Sequence, residues 1–206
     1  KGDGSIFSAT EAGEEIEPST YFGSHRVKVM LTNPFNPDDE RRQNAYPCEV
    51  LAAHLRMTTG ACVLVHDLHK EYSKLYAKVQ KVLSLDSHKY REVAIECAVA
   101  RAVKHIQRVR PHILGLSLRW GSLGVSDRLI QRLYQTMGEE MPLVVLGNTL
   151  ATFVSDELLS RPGYERAMAV LGGGERALEK MVNIVAANPD SFRDREYYRG
   201  IPSVKI

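Results

Sequence analysis

Short apolar runs alternate along this chain with longer segments whose apolar residues repeat at helical spacing. The apolar runs occupy residues 26–32, 62–68, 113–118, 142–146 and 167–171. Runs of this length are typical of strands covered on both faces of a parallel sheet. Between them, segments such as residues 44–57 carry apolar side chains three and four positions apart, and this spacing predicts helices.

Strands that alternate with helices predict an α/β fold of the doubly wound, flavodoxin-like or Rossmann-like type. We expect a five-stranded parallel sheet in the order 2-1-3-4-5, with helices on both faces as a three-layer sandwich. The final residues, GIPSVKI, predict one more short extended piece. The domain is expected over residues 26–200, after a flexible leader or interdomain arm at residues 1–25 and before a linker that starts at residues 201–206.

Three local expectations concern the helix boundaries. The helix after the second strand is expected over residues 72–85. The helix after the third strand is expected to be capped by Ser126, because a serine hydroxyl can accept the first free N–H groups. After the fourth strand, residues 147–152 (GNTLAT) are expected to form a loop that leads to a short helix near residues 155–160.

The loops after four of the predicted strands are rich in small residues and glycines. They read NPFNP after the first strand, SLRWGSLG after the third, LGNTLAT after the fourth and LGGGE after the fifth. In a doubly wound sheet these loops converge at the carboxyl edge, and ligands bind at the switch point between strands 1 and 3. Small residues let a ligand approach the backbone, and N–H groups at helix starts suit polar or anionic groups. The plainer alternative is that any tight turn between strand and helix needs such residues.

Several familiar sites are not matched. GGGE is not GxGxxG and follows the last strand, so a nicotinamide site is disfavoured, and neither a phosphate-binding P-loop nor a GxSxG nucleophile elbow is present. Asp67 and His69 end the second strand, but side chains two positions apart at a strand end usually diverge. We therefore expect neither a catalytic residue nor a metal-ligand set in this chain.

Composition narrows the class of partners. The 206 residues are 44% hydrophobic and 25% charged, with a net charge of +2 from dispersed lysines and arginines. This balance argues against nucleic acid or an anionic membrane as a partner. No apolar run approaches the roughly 20 residues that span a bilayer. Three scattered cysteines favour a reducing, cytoplasmic setting without disulfides.

Several segments, taken in order, resemble the N-terminal cobalamin-binding domain of cobalamin-dependent radical S-adenosylmethionine enzymes. Residues 47–60 (PCEVLAAHLRMTTG) are similar to that family's helix after the first strand, and residues 111–117 (PHILGLS) are similar to its third strand. The turn at residues 147–152 departs from the family pattern because Asn148 replaces a glycine. The turn at residues 172–175 departs from it because Gly173 replaces a glutamate.

The resemblance implies that this chain binds cobalamin at the carboxyl edge, with the nucleotide tail inserted between strands 1 and 3 beside Ser117. Arg119 and Trp120 are then expected near the corrin face. A histidine from an Asp-x-His-x-x-Gly motif is not expected to replace the lower axial base, because Tyr72 stands where that glycine would be after Asp67 and His69. The implied cofactor-binding residues are Asn33, Pro34, Ser117, Leu118, Arg119, Trp120, Gly121, Ser122, Gly147, Asn148, Thr149, Gly172, Gly173, Gly174 and Glu175.

Radical S-adenosylmethionine chemistry needs a CxxxCxxC motif for its iron–sulfur cluster, which the three cysteines do not supply. The cluster and S-adenosylmethionine are therefore expected only in an adjoining catalytic radical domain, in cis or in trans. Since the chain begins at Lys1 and ends at GIPSVKI, we expect a fragment or separate subunit of a methyltransferase-like enzyme, or a degenerate relative. The alternative from another class is a non-catalytic, flavodoxin-like sensor or interaction domain that binds a small nucleotide or a protein partner.

Overall fold

The computed structural model describes residues 26–38, 45–82, 87–190 and 192–206, with residues 82 and 87 described by their backbone alone. The predicted leader, residues 1–25, lies outside the described residues. The strands are β1 (Lys28–Thr32), β2 (Cys62–His66), β3 (Ile113–Ser117), β4 (Leu143–Gly147), β5 (Ala167–Val170) and β6 (Val204–Lys205). The α-helices are α1 (Tyr46–Thr59), α2 (Leu68–Val82), α3 (Ser87–Val109), α4 (Leu123–Met137), α5 (Asn148–Phe153), α6 (Ser155–Leu159) and α7 (Glu175–Ala187).

The five predicted strands are all present and all parallel to one another. β1 lies between β2 and β3, and β4 follows β3 and precedes β5. The expected sheet is nevertheless wrong in strand count and in its full order, which is β2-β1-β3-β4-β5-β6. The additional strand β6 is antiparallel and covers the edge of β5.

The sixth strand joins the sheet because the segment before it carries buried apolar anchors. Phe192, Tyr198 and Ile201 are buried in one core cluster, and the Tyr198 hydroxyl donates a hydrogen bond to the Phe192 carbonyl at 2.6 Å. This packing brings Val204 and Lys205 alongside β5. The predicted extended piece is thus confirmed, and it lies among the residues expected to begin a linker. The domain boundaries themselves stay a prediction.

Helices cover both faces of the sheet, as a three-layer sandwich requires. One core cluster joins the sheet to α2, α3, α4, α5 and α6, and we call this side the α2–α6 face. A second cluster joins it to α1 and α7, on the side that we call the α1/α7 face. Since successive strand residues point to opposite faces, neighbouring residues of each strand belong to different clusters.

The two expected helix starts and the expected loop at residues 147–152 are wrong, whereas the short helix near residues 155–160 is confirmed as α6 (Ser155–Leu159). α2 begins at Leu68 rather than residue 72, and α4 begins at Leu123. Ser126 is therefore inside α4, where its hydroxyl donates to the Ser122 carbonyl at 2.9 Å and caps nothing. Most of GNTLAT is helical because α5 buries Leu150 and Ala151 in the α2–α6 core, and this tertiary packing outweighs the turn-like composition.

Candidate functional site

A cleft of about 320 Å³ opens at the carboxyl edge of the sheet, on the α1/α7 face. It lies between the first turns of α1 and α7, above the ends of β1, β3, β4 and β5. Its volume is at the lower end of the range for ligand sites, which is about 300–1,000 Å³. The lining residues are mostly apolar or glycine: Leu31, Tyr46, Pro47, Cys48, Val50, Leu51, Gly115, Leu116, Ser117, Val145, Gly147, Asn148, Val170, Gly172, Gly173, Gly174, Glu175 and Leu178.

The cleft exists because side chains become smaller along one face of the two central strands. On the α1/α7 face, β3 presents Ile113, then Gly115, then Ser117, while Leu114 and Leu116 fill the opposite core. A Cβ added at Gly115 would lie 2.6 Å from Cδ2 of Leu31, so Leu31 already packs over this glycine. The floor of the cleft at β3 is therefore backbone and one small hydroxyl.

The neighbouring strand β4 repeats this pattern. Val145 faces the cleft and Gly147 follows it, whereas Leu146 between them is fully buried on the other face. Gly147 has extended backbone angles, φ −138° and ψ −175°, which any residue can adopt. A Cβ added there would meet no atom within 4 Å. The missing side chain thus leaves open space that a ligand can fill.

Three polar side chains meet at the end of β3. Nδ2 of Asn148 donates a hydrogen bond to Oγ of Ser117 at 2.9 Å. The Asn148 backbone is left-handed, with φ 73°, and its Oδ1 accepts from the Thr149 backbone N–H at 2.6 Å, which fixes the amide. The Cys48 thiol of α1 is close enough to Ser117 for the serine hydroxyl to influence the pKa of the thiol. These groups give the otherwise apolar cleft an oriented polar end.

Burial controls the chemistry of Cys48. It raises the pKa of the thiol to about 11, although the Ser117 hydroxyl and the charge of Arg119 act in the opposite direction. A thiol with such a pKa is protonated at neutral pH and is a poor nucleophile. Cys48 is therefore a wall of the cleft and a weak polar partner rather than a reactive group.

The glycines after β5 form the opposite wall. Gly172 has φ 73°, and its N–H donates to Oγ1 of Thr152 at 3.0 Å, which ties this turn to α5. A Cβ at Gly173 would lie 3.0 Å from Oε2 of Glu175, and one at Gly174 would lie 3.6 Å from Cδ2 of Leu51. The turn thus contacts α1 at Gly174, whereas the neighbour of Gly173 is the flexible Glu175 carboxylate of the turn itself.

The structure brings together about half of the residues implied by the resemblance. Those that line the cleft are Ser117, Gly147, Asn148, Gly172, Gly173, Gly174 and Glu175. The others lie outside its lining: Asn33, Pro34, Leu118, Arg119, Trp120, Gly121, Ser122 and Thr149.

The residues outside the lining have identifiable surroundings. Leu118 is fully buried in the α2–α6 core. The Ser122 hydroxyl closes the loop by accepting from the Arg119 N–H at 3.0 Å and donating to the Arg119 carbonyl at 2.7 Å. Gly121, with φ 83°, packs against Asn36 of the loop after β1. Trp120, in the loop between β3 and α4, is 62% exposed.

The sequence-based site omitted the α1 wall and the centre of the floor. Tyr46, Val50 and Leu51 line the cleft from α1, and Gly115 lies at the floor. Gly115 carried a usable signal, since an isolated glycine within a strand often marks a close backbone approach. The α1 residues carried no such signal, because an exposed apolar residue on a helix is common.

His69 does not reach the cleft. It is buried in the first turn of α2, with its ring 5.8 Å from the Phe35 ring and 6.4 Å from the Tyr72 ring. Across the described ranges there is no group of three or more histidine, cysteine, aspartate or glutamate side chains placed to hold a metal ion. Nor does any described helix have the length and apolar character needed to cross a membrane.

Solved structures with this fold include two radical S-adenosylmethionine enzymes with cobalamin bound. OxsB, a cobalamin-dependent S-adenosylmethionine radical enzyme with aqua-cobalamin bound, aligns with a TM-score of 0.58 at 17% identity over 79% of this chain and 19% of that chain. TsrM from Kitasatospora setae, a radical S-adenosylmethionine methyltransferase with cobalamin and a 4Fe–4S cluster bound, aligns with a TM-score of 0.53 at 17% identity. That alignment covers 87% of this chain and 27% of that chain.

The present chain thus spans 19% and 27% of the lengths of OxsB and TsrM. No family model and no curated protein matches the chain. At this level of identity the likeness concerns the fold. The chain has the doubly wound α/β fold of a part of these two radical S-adenosylmethionine enzymes.

Proposed function

We propose that this chain binds cobalamin and serves as the cofactor-binding module of a cobalamin-dependent radical S-adenosylmethionine enzyme. The observation that carries the proposal is the position of the cleft. It opens at the carboxyl edge, next to the switch point between β1 and β3, where doubly wound folds bind their ligands. The shared fold of OxsB and TsrM, whose structures both contain bound cobalamin, supports the identity of the ligand.

The cleft fits one part of cobalamin rather than the whole. At about 320 Å³ it is far too small for a corrin ring, but it suits a planar base with its ribose. Apolar walls favour the base, and the hydroxyl of Ser117 and the amide of Asn148 provide hydrogen-bonding groups at one end. The open space above Gly147 is where the base would lie against the backbone.

In this arrangement the corrin lies outside the cleft, over the carboxyl edge. Bound cobalamin would serve the parent enzyme as a methyl carrier or in related radical chemistry. This chain would bind the tail and exclude water from it, while the iron–sulfur cluster and S-adenosylmethionine would belong to an adjoining catalytic radical domain. Because His69 is buried beside Phe35 and Tyr72, it would not serve as a lower axial ligand.

Exposed aromatic residues at the same edge support a covering partner domain. Tyr46 begins α1, Trp120 follows β3 and Phe153 ends α5, and they are 63%, 62% and 72% exposed. Exposed aromatic residues around a binding site often mark a protein interface. In the proposed enzyme, the catalytic radical domain would pack here over the corrin.

Retention of hydroxocobalamin after desalting tests the proposal. The protein is mixed with excess hydroxocobalamin and desalted, and the retained cobalamin is measured by its visible absorbance. We expect retention by the unmodified chain and at least a tenfold loss with Gly147→Leu, which fills the space above β4. Gly200→Leu is the matched control, because Gly200 is exposed and an added Cβ there also meets nothing within 4 Å. Absence of retention, together with binding of adenosine monophosphate, would favour the nucleotide-sensor alternative instead.

A further inference from the structure

One polar contact joins the two helices that form the walls of the cleft. Nε2 of His54 in α1 lies 3.1 Å from Oε2 of Glu179 in α7. The side chains are 30% and 35% exposed, so the contact lies along the outer side of the helix pair. Within the part of the chain that the structure describes, no other side-chain hydrogen bond or ion pair links α1 with α7.

This contact lies directly behind the cleft. His54 is one turn beyond Leu51, the last cleft-lining residue of α1, and Glu179 directly follows Leu178, the last cleft-lining residue of α7. Between the two leucines is Gly174, where an added Cβ would lie 3.6 Å from Leu51 and 3.8 Å from Leu178. α1 and α7 therefore approach each other around Gly174, and the His54–Glu179 contact is a polar link between them just beyond the cleft lining.

We propose that His54 and Glu179 are a positioning pair that fixes the separation of α1 and α7 and thereby sets the width of the cleft. The pair acts through α1, whose first turn presents Pro47 and Cys48 to the cleft. The effect of the pair on cobalamin release rests on the proposed function, whereas its effect on the width of the unliganded cleft does not.

Cys48 provides a direct readout of that separation. Cys48 is only 2% exposed, and burial raises the pKa of its thiol to about 11. We therefore expect Cys48 to react with a thiol reagent only when the first turn of α1 moves outward. Cys97 is exposed on α3 and reacts without any opening. Cys62, half-buried in β2, reports on general loosening of the sheet. Mass spectrometry distinguishes the three sites.

The experiment compares labelling rates of the unliganded protein under native conditions. We expect His54→Ala and Glu179→Ala each to accelerate labelling of Cys48 about two- to fivefold, as the loss of one partly exposed hydrogen bond allows. The double variant should show no further acceleration, because either single change already removes the contact. His54→Gln should stay close to the unmodified chain, since its amide can still donate to the Glu179 carboxylate.

The matched control is Glu92→Ala, which removes a similarly exposed contact between helices on the other face. Oε2 of Glu92 lies 2.8 Å from Nη1 of Arg128 and joins α3 with α4. This variant should leave Cys48 labelling unchanged. Equal acceleration at Cys62 and Cys48 in His54→Ala would contradict the proposal, because the pair would then be merely structural.

Release of cobalamin gives the second readout. After loading with hydroxocobalamin, the two alanine variants should release it faster than His54→Gln and the unmodified chain. Faster Cys48 labelling in a protein that retains no cobalamin would support the positioning pair and contradict the proposed function. Retained cobalamin with unchanged labelling and release in both alanine variants would support the function and overturn the positioning pair.

Discussion

The two faces of the sheet differ most at its carboxyl edge. On the α2–α6 face, Leu116 and Leu146 are fully buried in the same cluster as Leu150 of α5. On the α1/α7 face, the next residues of the same strands are Ser117 and Gly147, and a cleft of about 320 Å³ opens there. Because adjacent strand residues point to opposite faces, a few residues of sequence specify both a packed core and a binding cleft.

This difference separates residues that stabilise the fold from residues that create the site. A buried leucine contributes about 1.5–3 kcal/mol relative to an exposed one. A glycine at the equivalent position of the other face gives up that contribution and leaves a space. Here two neighbouring strands lose apolar side chains at the same edge of the sheet. Departures of this kind from ordinary core packing are typical of functional sites.

The largest effect is expected on the packed face. Leu146→Ala should lower the free energy of unfolding by about 2–5 kcal/mol, because it removes a fully buried side chain and leaves a cavity. Urea denaturation followed by circular dichroism measures this change. A loss below about 1 kcal/mol would show that the α2–α6 face is less tightly packed than described.

The adjacent residue on the cleft face should behave in the opposite way. Gly147→Leu should change the free energy of unfolding by less than about 1 kcal/mol, because the backbone is extended and the added side chain enters open space. The same variant should weaken binding of hydroxocobalamin at least about tenfold. Strong destabilisation without any binding defect would contradict the assignment of the two faces.

Two glycines with positive φ differ in what surrounds them. Gly121 and Gly172 have φ 83° and 73°, so alanine at either should cost about 1 kcal/mol of backbone strain. At Gly121 the new Cβ would also clash with the Asn36 side chain, whereas at Gly172 it would meet nothing within 4 Å. Gly121→Ala should therefore lower the denaturation midpoint more than Gly172→Ala. Equal midpoints would show that Asn36 moves aside without cost.

The smallest expected effect is a pH dependence that both faces share. Burial lowers the pKa of His105 in α3 and of His112, whose ring lies 5.3 Å from the Phe192 ring. Below pH 6.5, the ordinary pKa of histidine, the unfolded chain binds more protons at these two residues than the folded chain does. The neutral rings therefore stabilise the fold above pH 6.5, and this contribution is lost as the pH falls through their lowered pKa.

Urea midpoints between pH 7.5 and pH 5 measure this dependence. His112→Gln should flatten the acid side of the profile and remove the bond in which Nδ1 of His112 accepts from the Lys28 N–H at 2.9 Å. His88→Gln, at an exposed position, serves as the control. A profile that is unchanged by His112→Gln and His105→Gln together would contradict the burial of these rings.

Much of the fold followed from periodicity, and its failures have physical causes. The parallel strands β1 to β5 were predicted because apolar runs such as residues 113–118 are short and bounded by polar residues. Strand β6 was anticipated as an extended piece but not as part of the sheet. Its pairing depends on Phe192 and Tyr198, whose packing is a tertiary effect that no local pattern encodes.

The candidate site was predictable in part for similar reasons. Ser117, Gly147 and the glycines after β5 were identified because turns after parallel strands meet at one edge. The α1 wall depends on how a helix packs across the sheet, which local spacing does not fix. In β3 Gly115 is followed by Leu116, and in β4 Gly147 is preceded by Leu146. Because neighbouring strand residues point to opposite faces, this pairing of a glycine with a leucine would have indicated a gap on one face of the sheet.

The location of bound cobalamin would show whether the cleft holds the nucleotide tail. A crystal structure of the chain grown with hydroxocobalamin, with cobalt located by its anomalous scattering, would place both ends of the cofactor. We expect the nucleotide tail in the cleft between Ser117, Gly147 and Gly173, and cobalt outside the carboxyl edge near Trp120. Cobalamin bound elsewhere while the cleft holds no part of it would contradict the account.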